Sequence, residues 1–367
     1  MPLKRPSRIL PRVLGLAGWA VVALTMLEVL ARLVFGAPLF VWHDWRTYNV
    51  RNLHPSAVYH PLLGWQQKPN VTSPYLNTLE HGIRKNSNRD EIEDQGAILV
   101  VGDSFAVGAE VLDDQTWPAH LERQTGLRVL NAGVGGFGVD QTGLNAEHLL
   151  PLLKPKLVVV GILVDDIARS RYRVRIEPKP YFSPENGGWE LRNVPVPRQP
   201  KPAREATFKT LLAHSFAVHR FMIKSEALRD AWYSSSGLSF DVAHDDGAGA
   251  SCHALGRLAK QLAAASARSL IVMQYEGSHY ASGAKRPVEV EAVLACARTQ
   301  GYGIIDEFDA LSAVARQSVD GLKTYYMMRA KWSFGHMSPA GNAAVGALIA
   351  QHLKAAPALT DGVTRVR

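Results

Sequence analysis

Four aliphatic residues, Ile98-Leu99-Val100-Val101, run directly into Gly102-Asp103-Ser104. A short unbroken apolar run closed by glycine reads as a strand buried on both faces, as in parallel sheets covered by helices. Gly102 allows a sharp turn after the strand, and Asp103 and Ser104 are helix-capping types. A serine so placed stands at the carboxyl edge of the sheet, where open α/β sheets hold their ligands. A plain strand followed by a helix cap would use the same residues, so the rest of the chain must discriminate.

Strands are expected at 97–101, 128–131, 157–162, 269–273 and 302–306, with helices at 116–125, 139–152, 252–266 and 287–299. Strands alternating with helices give a parallel sheet covered on both faces. The expectation is α/β: a three-layer α/β/α sandwich around a five-stranded parallel sheet, flavodoxin-like in order. The domain covers about 96–356, followed by a tail at 357–367. An irregular lead-in, turn-rich around His60-Pro61-Leu62-Leu63-Gly64-Trp65, fills 36–95. From about 168 to 240 the chain is too long for one crossover and reads as an insertion at the carboxyl edge. It opens with Arg169, Arg171, Arg173 and Arg175, passes through a proline-rich stretch, and is expected to hold a helix near 203–232. Its basicity suits anionic glycans or headgroups, or an ordinary solvated face.

The chain is 367 residues long with net charge +8, and part of that charge (Lys4, Arg5, Arg8 and Arg12) precedes an apolar stretch. Residues 13–35 approach the length of a bilayer span, and Glu28 and Arg32 lie one helical turn apart, able to pair near an interface. The expectation is a basic cytoplasmic N-terminus at 1–12, a transmembrane anchor at 13–35 and the domain outside a bacterial inner membrane, in the periplasm. A cleavable signal peptide and a buried helix are the competing readings. Cys252 and Cys296 lack metal-ligand spacing and fall on helices flanking one strand. Two buried thiols are expected, with a disulfide open to an exported domain.

Serine nucleophiles need a base, an orienting acid and oxyanion donors. His336, in Gly335-His336-Met337-Ser338-Pro339 ahead of a terminal helix, is the candidate base. After the second strand comes Asn131-Ala132-Gly133-Val134-Gly135-Gly136-Phe137-Gly138; after the third comes Gly161-Ile162-Leu163-Val164-Asp165-Asp166. Gly133, Gly135 and Gly138 also fit a dinucleotide fingerprint, but in the second β-α unit and without the acidic strand end that nucleotide binding requires.

These four segments, in this order, resemble the conserved blocks of the SGNH (GDSL-type) hydrolases. The resemblance implies Ser104 as nucleophile, His336 as its base, and the N–H groups of Ser104 and Gly136 as oxyanion donors. Asp165 takes the position of an oxyanion asparagine; a carboxylate there must be protonated, turned away or orienting an arginine. The family's acid precedes the histidine, but here that position is Ser333. The expectation is a Ser-His dyad, with Ser333 as a neutral orienting residue, or an acid borrowed from Asp306 or Asp309, or weakened catalysis. The anchor and lead-in resemble membrane-held SGNH proteins of the bacterial cell envelope. The implied function is ester hydrolysis or acyl transfer on an ester-bearing small molecule or glycan, most plainly O-acetyl groups of exported carbohydrate. No metal, cofactor or nucleic acid is implied; polysaccharide machinery is a candidate partner. The rival from another class is a tethered, catalytically weak carbohydrate-binding or assembly protein, and a lipid-active esterase is a third reading.

Overall fold

The computed structural model describes residues 9–366 except 36, 41, 43, 47–56, 88–91, 93–94, 186, 199–206, 226–227, 229–231, 233–238, 284 and 331–332. Lys4, Arg5 and Arg8 of the expected basic N-terminus lie outside the described residues. Helix α1 (Ile9–Phe35) opens the chain. Its Gly15–Phe35 stretch, mean hydropathy 1.8, is long and apolar enough to cross a membrane. Glu28 and Arg32 pair on it at 2.6 Å.

The lead-in is less irregular than its sequence suggests. Strands β1 (Ala57–His60) and β2 (Gly64–Gln67) form an antiparallel hairpin, and Arg84 bridges to Asn131. The central sheet contains β3 (Ile98–Val101), β4 (Val129–Asn131), β5 (Leu157–Leu163), β10 (Arg268–Gln274) and β11 (Gly303–Asp306). Their order is β4-β3-β5-β10-β11, all parallel, which is the flavodoxin-like arrangement with one switch point beside β3. Every residue of β3 and β5 is buried, as unbroken aliphatic runs between two helical layers require.

Helices α3 (Trp117–Thr125) and α12 (Pro339–Ala355) pack together as one layer. Helices α4 (Val139–Leu153), α8 (Gly247–Ala264) and α10 (Val288–Thr299) associate as the other. Cys252 on α8 and Cys296 on α10 form a disulfide with Cα atoms 6.0 Å apart, so they are not the two thiols expected. The chain after α12 folds back: Thr364 donates to Gly96 O and accepts from Arg128 N, closing the amino edge of the sheet.

The described part of the insertion contributes strands as well as helix. Strand β6 (Tyr172–Pro178) pairs with β9 (Ser239–Val242), and β7 (Tyr181–Glu185) with β8 (Gly188–Arg192), all antiparallel. Of the expected helix, the described residues hold two short pieces, α6 (Thr207–Ala213) and α7 (Phe216–Met222). Lys179, fully buried, fastens this excursion to the core through Asp140 at 2.5 Å. Burying both charges is costly, and the direct contact offsets that cost.

Candidate active site

The site begins where β3 ends. Gly102 sits so close to β5 that a Cβ there would stand 2.6 Å from Gly161 O and from Ala106 Cβ. Only glycine lets the two strand ends approach this way. The chain then turns into one helical turn, α2 (Ser104–Val107), capped by Asp103, whose Oδ1 accepts Phe105 N–H at 2.8 Å. Ser104 is thereby fixed at the carboxyl edge.

His336 arrives from β13 (Ser333–Met337), the second strand of a hairpin with β12 (Tyr326–Ala330). Its Nε2 is 3.0 Å from Ser104 Oγ, although 232 positions separate them in sequence. Phe105 packs on the imidazole, ring centroids 5.4 Å apart.

The acid beside the histidine is Glu110. Its Oε2 lies 3.2 Å from His336 Nδ1 and accepts the His336 backbone N–H at 3.0 Å. A carboxylate there favours the Nδ1–H tautomer, leaving the Nε2 lone pair facing Ser104. None of the sequence candidates for this role occupies the position. Asp306 pairs with Arg286 at 3.0 Å, and Asp309 stands 3.7 Å from the same guanidinium. Ser333 is an exposed strand residue opposite Ala330. Glu110 comes instead from the nucleophile's own loop, six positions after Ser104. It has φ 70°, a left-handed conformation that is uncommon outside glycine and recurs at functional sites.

That conformation is held from below by Arg84, a lead-in residue. Its guanidinium donates to Val107 O, Gly108 O, Val111 O and Tyr75 O, and pairs with Asp113 at 2.7 Å. Burial pulls the Arg84 pKa down while Asp113 acts to raise it. The loop carrying Glu110 is thus tied at both ends to one buried cation.

The turn after β4 lies against α2. Val134 donates to Gly102 O at 2.9 Å, and a Cβ on Gly133 would collide with the backbone of Val107. Within it Gly136 adopts φ 81°. Neither the Ser104 nor the Gly136 N–H has an acceptor among the described residues. The lead-in buttresses this turn as well: Trp65 Nε1 donates to Gly135 O at 3.0 Å and its ring packs on Phe137.

Asp165 departs from the oxyanion role its position suggests. Its side chain is 55% exposed, makes no hydrogen bond to Ser104 or His336, and stands 3.8 Å from Arg169 Nη2. Arg169 is the organising cation here. It donates to Asp103 Oδ2 at 2.8 Å, Asp166 Oδ1 at 2.5 Å and Phe137 O at 3.2 Å. Burial acts to lower its pKa, and Asp166 and Asp103 more than offset that, so the net shift is upward. Asp166 in turn is pushed well up by burial and by Asp103. Ser104 Oγ is also 3.2 Å from Asp103 Oδ2, so Arg169 neutralises the one carboxylate that competes with His336 for the serine proton. Arg175 donates to Gly136 O at 3.3 Å; burial, with Arg169 nearby, brings its pKa down to about 9. Half of the basic run therefore points inward, and only part of it is a solvated face. Among the described residues no group of three His, Cys, Asp or Glu is placed to hold a metal.

No family model matches the sequence, and no curated protein matches it. Solved structures do. A psychrotrophic esterase, EstA from Pseudoalteromonas sp., is 10% identical, covers 72% of this chain and 100% of its own, with TM-score 0.39. A lipase/acylhydrolase from Enterococcus faecalis is 14% identical over 71% and 96%, with TM-score 0.36. A variant of Axe2, an acetyl-xylooligosaccharide esterase from Geobacillus Stearmophilus, is 12% identical over 72% and 94%, with TM-score 0.39. The strand order, the Gly-Asp-Ser turn at the end of β3 and the late histidine agree with the fold that the sequence resemblance to SGNH hydrolases implied.

Proposed function

We propose that the chain is a serine esterase or acyl hydrolase, with Ser104 as nucleophile, His336 as base and Glu110 as orienting acid. The observation that carries this reading is the continuous line Ser104 Oγ, His336 Nε2, His336 Nδ1, Glu110 Oε2, with contacts of 3.0 and 3.2 Å.

The steps follow from that line. His336 Nε2 takes the proton as Ser104 Oγ bonds to the acyl carbon, and the carbonyl electron pair moves onto oxygen. The N–H groups of Ser104 and Gly136 receive that oxyanion. The ester C–O bond then breaks as His336 returns its proton to the leaving alcohol. Water attacks the acyl-serine with His336 again as base, releasing the acid and restoring Ser104; a sugar hydroxyl in place of water would make the reaction a transfer. Glu110 keeps its charge throughout and stabilises the imidazolium.

The side chains that reach solvent beside this machinery are polar: Glu110 next to His336 and Asp165 next to Arg169. That suits a polar ester carrier better than a long acyl chain, and our reading of the substrate is O-acetyl groups on exported carbohydrate. The same reading has α1 as a single-pass inner-membrane anchor with the domain in the periplasm. The tethered binding-protein alternative drew on a missing acid and on Asp165; Glu110 removes the first of these supports.

A fluorophosphonate probe should label the full chain at Ser104 and leave Ser104→Ala unlabelled, and an acetylated glycan panel should release acetate. Neither labelling nor acetate from the folded parent would refute the esterase reading. Alkaline phosphatase fused after residue 60 should be active; activity only from a cytoplasmic reporter at that point would reverse the topology.

A further inference from the structure

The insertion does more than rim the active site: it grips the apolar helix. Glu28, within α1, accepts from Ser215 Oγ at 2.8 Å, Phe216 N at 2.8 Å and Ala217 N at 3.0 Å. An acidic side chain in a membrane-length helix thus serves the first turn of α7. The contact continues beyond it. Phe35 meets Phe216 at 6.2 Å between rings, and the Arg220 guanidinium lies 4.3 Å over Phe35. Trp42 stacks on His214 at 5.0 Å, and Trp45 Nε1 donates to His214 O at 3.2 Å. Removing α1 at a leader cleavage site would strip Glu28 and Phe35 from the folded insertion.

Around this joint the surface is apolar and uncovered. Phe40 is 99% exposed, Trp42 72%, Phe208 71%, Leu211 61% and Phe221 59%. Phe208 and Leu211 share one face of α6 by their spacing. Residues 207–224 carry Lys209, Arg220 and Lys224 and no carboxylate. Aromatic rings and basic side chains next to the end of an apolar helix are the composition of a membrane–water interface.

We propose that the outer end of α1 and helices α6 and α7 form one unit that seats the domain on an anionic lipid bilayer, with Phe40, Trp42, Phe208, Leu211 and Phe221 in the interfacial layer. The proposal rests on the reading of α1 as a membrane span. Continuity with that helix selects lipid rather than protein as the occupant, and the basic side chains of 207–224, with no carboxylate among them, select anionic headgroups.

The test is photo-crosslinking of the full chain in vesicles containing phosphatidylglycerol. Benzoylphenylalanine is placed at one position per variant: Leu24→benzoylphenylalanine within α1, Phe208→benzoylphenylalanine and Phe221→benzoylphenylalanine on the patch, and Val288→benzoylphenylalanine as an exposed control on the domain. Lipid adducts are expected at 24, 208 and 221 and not at 288. Adducts at 24 alone would overturn the seating while leaving the span intact. No adduct at any position would overturn the span, and the seating with it. Adducts to a second protein chain at 208 or 221, in place of lipid, would also overturn the seating. Yields at 208 and 221 should fall in phosphatidylcholine vesicles; equal yields would overturn the anionic preference.

Discussion

Glu110→Gln isolates the acid with almost no change of shape. Removing the charge of a triad acid while keeping its geometry costs about 10⁴ in turnover in the well-studied serine proteases. Two features of this site reduce the loss. The Glu110 side chain is 31% exposed, so water shares the work of stabilising the imidazolium. Its bond to the His336 backbone N–H, 3.0 Å long, survives in glutamine and keeps the loop and the base together. Against that, the glutamine NH₂ can face Nδ1 and favour the tautomer whose Nε2–H cannot accept the serine proton. We expect kcat to fall about 10²–10³-fold, or about 3–4 kcal/mol at about 1.4 kcal/mol per tenfold. KM should be nearly unchanged, because Glu110 acts through His336 rather than on the substrate. The assay is steady-state hydrolysis of p-nitrophenyl acetate by parent, Glu110→Gln and Ser104→Ala, with fluorophosphonate labelling rates measured in parallel. If Glu110→Gln stays within about threefold of the parent in kcat while Ser104→Ala is inactive, Glu110 is not the orienting acid and the site works as a dyad.

Ser333→Asp should change turnover by less than about twofold, as should Asp306→Asn, since Nδ1 already has its carboxylate; a large gain in the first would show Glu110 ineffective. Arg169→Met leaves Asp103 and Asp166 buried without their shared cation and should cost about 3–5 kcal/mol in chemical denaturation. Glu307, fully buried, is pushed up to about 8 by burial, from an ordinary 4.5. Between those values the folded chain holds a proton that the unfolded chain has lost, so stability should fall as pH rises to about 8 and then level. Denaturation midpoints of Glu307→Gln across that range should lack this slope. Reducing Cys252–Cys296, which closes a loop of 44 positions, should cost on the order of 4 kcal/mol, read as a lower Tm against the oxidised chain.

The aliphatic runs of β3, β5 and β10 announced the sheet because burial between two helical layers leaves them no other composition, and the observed ends of all five strands fall within one residue of those expected. Ser104 and His336 were visible through motifs that fix a local turn. Glu110 was not, because its partnership depends on where β13 docks, a non-local fact. The local trace was a lone carboxylate among small residues in Ala106-Val107-Gly108-Ala109-Glu110, with nothing apolar or periodic to explain it. Arg84 and Trp65 were hidden for a similar reason: their role is to satisfy carbonyls of distant loops, and no spacing encodes that. The thiols read as free because sequence gives helix membership but not the facing angle that joins Cys252 to Cys296.

The acid and the nucleophile share one loop, so this half of the machinery is complete as soon as β3 and its following turns are in place. The histidine is delivered by a hairpin that is synthesised much later. A chain emerging amino end first therefore carries an unactivated serine for most of its passage. Ser104 meets its imidazole only when β13 docks against the loop. If Ser104 is the nucleophile proposed above, the order of the segments withholds its base until the last part of the chain is in place.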